Sequence, residues 1–124
     1  MTPQRVMQLA NLLDLKKAEE ECTTYVPIAM VMQTFSGGRD LAEGLGQIQI
    51  MDYNDKRPLR SSLCVSIVTG IPSRGYFAMA RQIGYSIGPT AADEFTFWLD
   101  QMKQLRAQLS PAAVKTGQKL GILP

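Results

Sequence analysis

The sequence has no histidine and only two cysteines, Cys22 and Cys64. Without histidine there is no Ser-His or Cys-His pair to activate a nucleophile. Neither cysteine has a C-x-x-C neighbour, which removes the usual structural zinc sites. No run of residues approaches the roughly 20 apolar positions that span a bilayer, and no charged start leads into an apolar signal segment. A G-x-x-x-x-G-K-[ST] phosphate loop is missing too. The sequence has no internal repeat, low-complexity tract or linker. These absences set the expectations of a cytoplasmic protein with no membrane contact, no cofactor, no metal and no catalytic residues.

What is present suits one domain. A chain of 124 residues can bury a core without staples. Its apolar content of 45% and charged content of 19% are ordinary for a globular protein. The seven methionines are most simply core fillers. Net charge is +2, too small for bulk charge to announce nucleic acid.

Helical spacing dominates. Thr2-Pro3 supplies a cap and a first-turn proline, and Val6, Leu9, Ala10 and Leu13 fall on one helical face. The acids Glu19 to Glu21 are poorly placed at a helix C-terminus and predict fraying there. A second helix is expected from Thr23 to Gly37-Gly38, with Tyr25, Ile28, Ala29 and Met32 inside and Pro27 in the first turn. A third is expected from Asp40 to Tyr53. Gly44 and Gly46 weaken it by about 1 kcal/mol each, so they imply close packing or a break. Thr90-Ala91-Ala92-Asp93 resembles a capping box and opens a helix with the stripe Phe95, Trp98, Leu99, Met102 and Leu105. Ser110-Pro111 starts a last short helix with Val114 and Leu120, stopped at Gly121.

The centre of the chain, Pro58 to Ile87, breaks this rhythm. Ser62 to Val68 reads as a strand, with Leu63, Val65 and Ile67 on one face. Thr69 to Gly75 then reads as a glycine-bracketed loop, followed by a short helix that Gly84 stops. Tyr85 to Ile87 is a candidate return strand. The loop reads either as a turn alone or as a turn whose helix amides, beside Arg74, meet an anion.

Charge is uneven. From Asn54 to Arg81 the basic residues are Lys56, Arg57, Arg60, Arg74 and Arg81, against the single acid Asp55. Such a patch fits backbone-phosphate binding, or a solvated loop that faces an acidic surface. Cys64 has no obvious base beside it and reads as a small buried residue. Carboxylate pairs such as Asp52 with Asp55, or Asp93 with Glu94, have simpler explanations in a loop and a helix N-terminus.

Pro58-Leu59-Arg60-Ser61-Ser62-Leu63-Cys64-Val65 and Thr69-Gly70-Ile71-Pro72-Ser73-Arg74-Gly75-Tyr76-Phe77 resemble a "PLLSALVV…TGxPGxGFF" segment of small bacterial and phage proteins. Phe77, Ala80 and Gly84 match its end, and Ser73-Arg74 replaces its small pair. Thr24-Tyr25-x-x-Ile28-Ala29 and Leu41 to Ile48 are similar to the second and third helices of winged-helix domains, in the order seen in alkyltransferase-like proteins. The reactive Pro-Cys-His-Arg of alkyltransferases is absent, so alkyl transfer is not implied.

The resemblance implies a mainly α protein with a small β element: a winged-helix-like part at about 23–87 and a helical C-terminal extension at about 90–121, within a single domain, 1–124. The expected function is duplex nucleic-acid binding without catalysis. The third helix would enter the groove of double-stranded DNA and the Thr69 to Gly75 loop would act as wing. Gln47, Gln49 and Asn54 would read bases, while Arg39, Lys56, Arg57, Arg60 and Arg74 would hold phosphates. The alternative is a protein-interaction module or inhibitor of a host complex, contacting its partner or a second copy through Phe95, Trp98 and Met102.

Overall fold

A computed structural model describes every residue from Met1 to Pro124. Six α-helices surround a two-stranded parallel sheet. In order they are α1 (Pro3–Glu19), β1 (Thr23–Thr24), α2 (Tyr25–Val31), α3 (Arg39–Asn54), a 3₁₀ helix (Arg60–Leu63), β2 (Cys64–Val65), α4 (Arg74–Ile83), α5 (Ala91–Leu105) and α6 (Pro111–Lys119). The mainly α character with a small β element is as expected. No helix is long and apolar enough to cross a membrane.

The caps form where the sequence puts them. The hydroxyl of Thr2 accepts from Arg5 N, that of Ser110 from Ala113 N, and Thr90 with Asp93 forms a reciprocal capping box. α1 buries Val6, Leu9, Ala10 and Leu13, and stops at Glu19 because Glu20 turns left-handed at φ 60°. α2 is shorter at both ends than its spacing suggests. Thr23 and Thr24 pair with Cys64 and Val65 instead of coiling, and Gln33, at φ 53°, takes the chain out of the helix well before Gly37.

α3 is the centre of the molecule. A Cβ on Gly44 would stand 2.5 Å from Met1 Sδ and 3.0 Å from Leu9 Cδ2 of α1, and one on Gly46 would stand 3.1 Å from Met79 Cε of α4. Two positions along an α-helix are about 200° apart around its axis. The two glycines therefore admit neighbours on opposite sides, which is the close-packing explanation of their presence. With Leu41 and Ile48 also enclosed, one side of α3 is core, while Arg39, Glu43, Gln47, Ile50 and Asn54 form an exposed face.

The expected strand from Ser62 to Val68 is mostly something else. Its first two residues, Ser62 and Leu63, end the 3₁₀ helix, whose residues are buried. Only Cys64 and Val65 are extended. Ile67 and Val68, 80% and 82% exposed, lie in a turn closed by Ser66 N donating to Ile71 O and Gly70 N donating to Ser66 O. A short apolar run bounded by turns fits either a buried strand or a buried coil, and period alone does not separate them.

The wing also differs. β2 pairs in parallel with β1, so the antiparallel hairpin of a wing is not made. Its loop packs onto α6: Thr116 Oγ1 donates to Thr69 O at 2.7 Å, and Gly70, at φ 74°, lies against the backbone of Ala113. The return strand expected at Tyr85 to Ile87 does not form. Tyr85 packs edge-on to both Tyr53 and Phe97, with ring centroids 5.1 Å apart in each pair.

The proposed partner surface on α5 is corrected as well. Phe95, Trp98 and Met102 are at most 1% exposed and belong to the same core cluster as α1, α3 and the 3₁₀ helix. Trp98 Nε1 donates to Ser62 O at 2.9 Å, which ties α5 to the 3₁₀ helix. The stripe is core because the indole has both an apolar site and a carbonyl waiting there.

Candidate functional site

Two clefts flank the two ends of α3. The first, of about 640 Å³, is bounded by Tyr25 of α2, the Ser36–Gly38 turn, the N-terminal half of α3, and Ser73, Gly75, Tyr76 and Met79 around the start of α4. Its geometry follows from how α3 and α4 begin. Gly38 and Ser73 stand at their N-caps and neither side chain caps its helix. The first-turn amides of Arg39 and Asp40, and of Arg74 and Gly75, have no acceptor within the protein.

Tyr25 fixes the second of these termini. Its hydroxyl accepts from Ser73 N at 2.8 Å and donates to Ser73 Oγ at 3.3 Å. Burial pushes this phenol's pKa upward, against the opposing effect of the Ser73 bonds, so it acts as a neutral pin between α2 and α4. Deeper in the cleft, Gln49 Nε2 donates to Tyr76 O at 3.0 Å and Ser61 Oγ to Leu45 O at 2.8 Å.

Charge at this cleft is positive. Arg39 lines it and Arg74 lies between the lining residues Ser73 and Gly75; both are exposed and form no ion pair. Glu43, the one acid on the wall, and Asp40 next to it are held by the N-terminal amine of Met1 at 3.5 and 3.1 Å. Two helix N-termini add the positive ends of their dipoles.

The second cleft, of about 680 Å³, lies at the C-terminal end of α3. It gathers Tyr53, Asn54, Lys56, Arg57, Tyr85, Phe97, Asp100 and Gln104. Arg57 is committed to carboxylates, with Nη2 3.2 Å from Asp52 Oδ1 and 3.5 Å from Asp55 Oδ2. With Asp100 on its wall, this cleft has little net positive charge.

The sequence-based candidates thus separate. Arg39 and Arg74 meet at the first cleft; Asn54, Lys56 and Arg57 meet at the second. Arg39 and Lys56 are some 25 Å apart along the helix axis at about 1.5 Å per residue. Gln47 is exposed on α3 and lines neither cleft.

Two candidates are corrected. Gln49 is 2% exposed and its amide is bonded to a backbone carbonyl, so it cannot read a base edge from α3. Arg60, 4% exposed, is not a phosphate ligand but the middle of a buried ion network. Its Nε donates to Asp52 at 3.0 Å and its Nη1 to Asp14 at 3.1 Å, and its backbone N donates to Asp52 Oδ2 at 2.9 Å. Nη2 stands 2.9 Å from Asp52 Oδ1 without hydrogen-bond alignment, and charge alone holds it. Desolvation works against this cation, but the bonds to Asp52 and Asp14 outweigh it and its pKa is raised. Sequence reasoning also missed Tyr25, Ser61 and Met79 as cleft residues. Helical periodicity marks Tyr25 as inward-facing, but not that its hydroxyl reaches the start of a distant helix.

No group of three His, Cys, Asp or Glu side chains stands together in a way that could hold a metal ion. No protein-family model, curated protein or solved structure matches the chain.

Proposed function

We propose that the protein binds double-stranded nucleic acid without catalysis, gripping backbone phosphates at the first cleft. The observation that carries the reading is the pair of uncapped helix N-termini opening on one cleft beside two unpaired arginines. Phosphate oxygens accept from just such free amides, and arginine adds charge and a fork of donors. The grip differs from base reading along α3, because it centres on the N-terminal ends of α3 and α4 and Gln49 is buried.

Neither cysteine is poised as a nucleophile. Burial pushes the Cys22 thiol up to about 11 and the Cys64 thiol up to about 12. A nucleophilic cysteine requires the opposite shift.

The test is binding of a fluorescent duplex across a salt series. Two phosphate contacts give a log–log slope of about −1.8, at roughly −0.9 for each. Arg39→Ala and Arg74→Ala should each flatten the slope by about 0.9 and weaken binding to all sequences alike. Lys56→Ala, at the other cleft, should leave the slope unchanged. Absence of duplex binding at low salt, or an Arg39→Ala/Arg74→Ala double variant that binds like wild type, refutes the reading.

A further inference from the structure

Phosphate contacts at the mouth of the first cleft leave its depth unexplained. Arg39, Ala42, Gly46 and Gln49 all line it and follow one another at intervals of three, four and three along α3. That spacing puts them on one face of the helix. Arg39, at the start of the helix, is exposed; Gln49, at the other end of the strip, is 2% exposed. The two residues between them have no side-chain atom beyond Cβ, so the strip is bare along its middle. Leu45, Tyr76 and Met79 give the cleft apolar walls.

The floor of the cleft holds an unused acceptor. Gln49 Nε2 is committed to Tyr76 O at 3.0 Å, but its Oε1 accepts from no donor of the protein. A side chain so deeply enclosed ordinarily has both halves of its amide bonded. Nor is this oxygen sealed in the core: the one buried side-chain atom without a hydrogen bond is Arg60 Nη2. Gln49 lines the cleft, so what reaches its oxygen comes through the cleft. A duplex does not. Its phosphates stop at the mouth, and the bases behind them are paired and stacked.

We infer that the first cleft holds one free nucleotide, a nucleoside monophosphate whose base carries an amino group. This rests on the reading of the cleft mouth as a phosphate site and adds what lies behind the phosphate. The phosphate accepts from the uncapped amides at the start of α3 and from the Arg39 guanidinium. The base lies between the apolar walls, and its exocyclic amine donates to Gln49 Oε1. From Arg39 to Gln49 the helix rises on the order of 15 Å, at about 1.5 Å per residue. Helical side chains lean toward the N-terminus, so Gln49 reaches back along the strip. The remaining gap suits a nucleotide and is too long for inorganic phosphate to bridge. The cleft volume of about 640 Å³ falls within the range of roughly 300–1,000 Å³ typical of small-molecule sites.

Isothermal titration of the whole protein with AMP, with no duplex present, tests this. One molecule should bind per chain, with saturation below about 1 mM. Adenosine and inorganic phosphate each fill one end only and should bind at least about tenfold more weakly. Purine riboside 5′-monophosphate, which is AMP without the exocyclic amine, should lose about tenfold, the effect of one hydrogen bond. Gln49→Met removes Oε1 and should bind these two nucleotides equally. Ala42→Phe, at an exposed position, should keep the wild-type thermal midpoint and abolish AMP binding by filling the strip. No AMP binding at about 1 mM overturns the inference. So does inorganic phosphate that binds as tightly as AMP, a Gln49→Met protein that still prefers AMP to its amine-free analogue, or an Ala42→Phe protein that binds AMP as before. A protein that binds AMP but no duplex refutes only the nucleic-acid reading, and one that binds duplex but no AMP refutes only this one.

Discussion

Asp52 and Arg60 decide between two pictures of the chain's basic centre. If Arg60 is a surface phosphate ligand, as its sequence neighbourhood suggests, its removal costs binding and spares the fold. In the structure it is the reverse. Asp52 is fully enclosed and takes bonds from the Arg60 side chain and backbone, with Arg57 outside. Asp52→Ala leaves a buried guanidinium with only Asp14, itself half exposed, as counter-charge. Breaking a buried pair in this way costs about 3–5 kcal/mol. At this chain length about 1 kcal/mol moves the midpoint by roughly 4 °C, so the expected fall is about 12–20 °C. Arg60→Ala should cost somewhat less, because Arg57 still faces Asp52 at 3.2 Å. Arg57→Ala, whose side chain is 43% exposed, should cost no more than about 1 kcal/mol. The double variant Asp52→Ala/Arg60→Ala should be less damaging than the sum, since the second deletion removes the orphaned charge. Urea titrations followed by circular dichroism give all four values. If Arg60→Ala keeps wild-type stability and lowers duplex affinity, the network described above is wrong and the surface reading is right.

Two further outcomes follow from local geometry. Gly70→Ala must place a Cβ 2.2 Å from the Ala113 amide nitrogen, at φ 74°, and should destabilise by about 3 kcal/mol through overpacking and left-handed strain, whereas Gly75→Ala, with open space at its Cβ, should be neutral or mildly stabilising in urea titrations. Cys64, fully buried and with its thiol pKa pushed up to about 12, should react with a thiol reagent at pH 8 only on the timescale of unfolding; rapid labelling in the native state would show that the core around it is open.

The helices and their caps were legible because their signals are local. Thr2-Pro3, Thr90 with Asp93, and Ser110-Pro111 each satisfy amides within a few residues, and no distant element is needed to interpret them. The α3 glycines carried a real but incomplete signal. Their cost in a helix implied close packing, yet only the spacing of two between them, read as opposite faces, says that two partners are involved. What could not be read is what depends on sequence-distant companions. Arg60 counts as a surface charge until Asp52 and Asp14 come beside it, the second from 46 residues away. Phe95, Trp98 and Met102 form an apolar stripe whether they face a core or a partner, and the Ser62 carbonyl that receives the indole N–H settles which.

The same reasoning explains why the candidate site moved. A count of basic residues along Asn54 to Arg81 weights each charge equally, but the fold does not. It neutralises Arg60 internally, couples Arg81 to Glu94 at 2.7 Å and holds Arg57 against two carboxylates. Of the five, only Lys56 and Arg74 remain unpaired. Arg74 gains weight by sitting at the start of a helix whose amides have no cap, and Arg39, outside the counted stretch, joins it through the start of another. The resulting cleft is where salt should act: phosphate contacts there weaken as ionic strength rises, and the slope counts Arg39 and Arg74 without Arg57, Arg60 or Arg81.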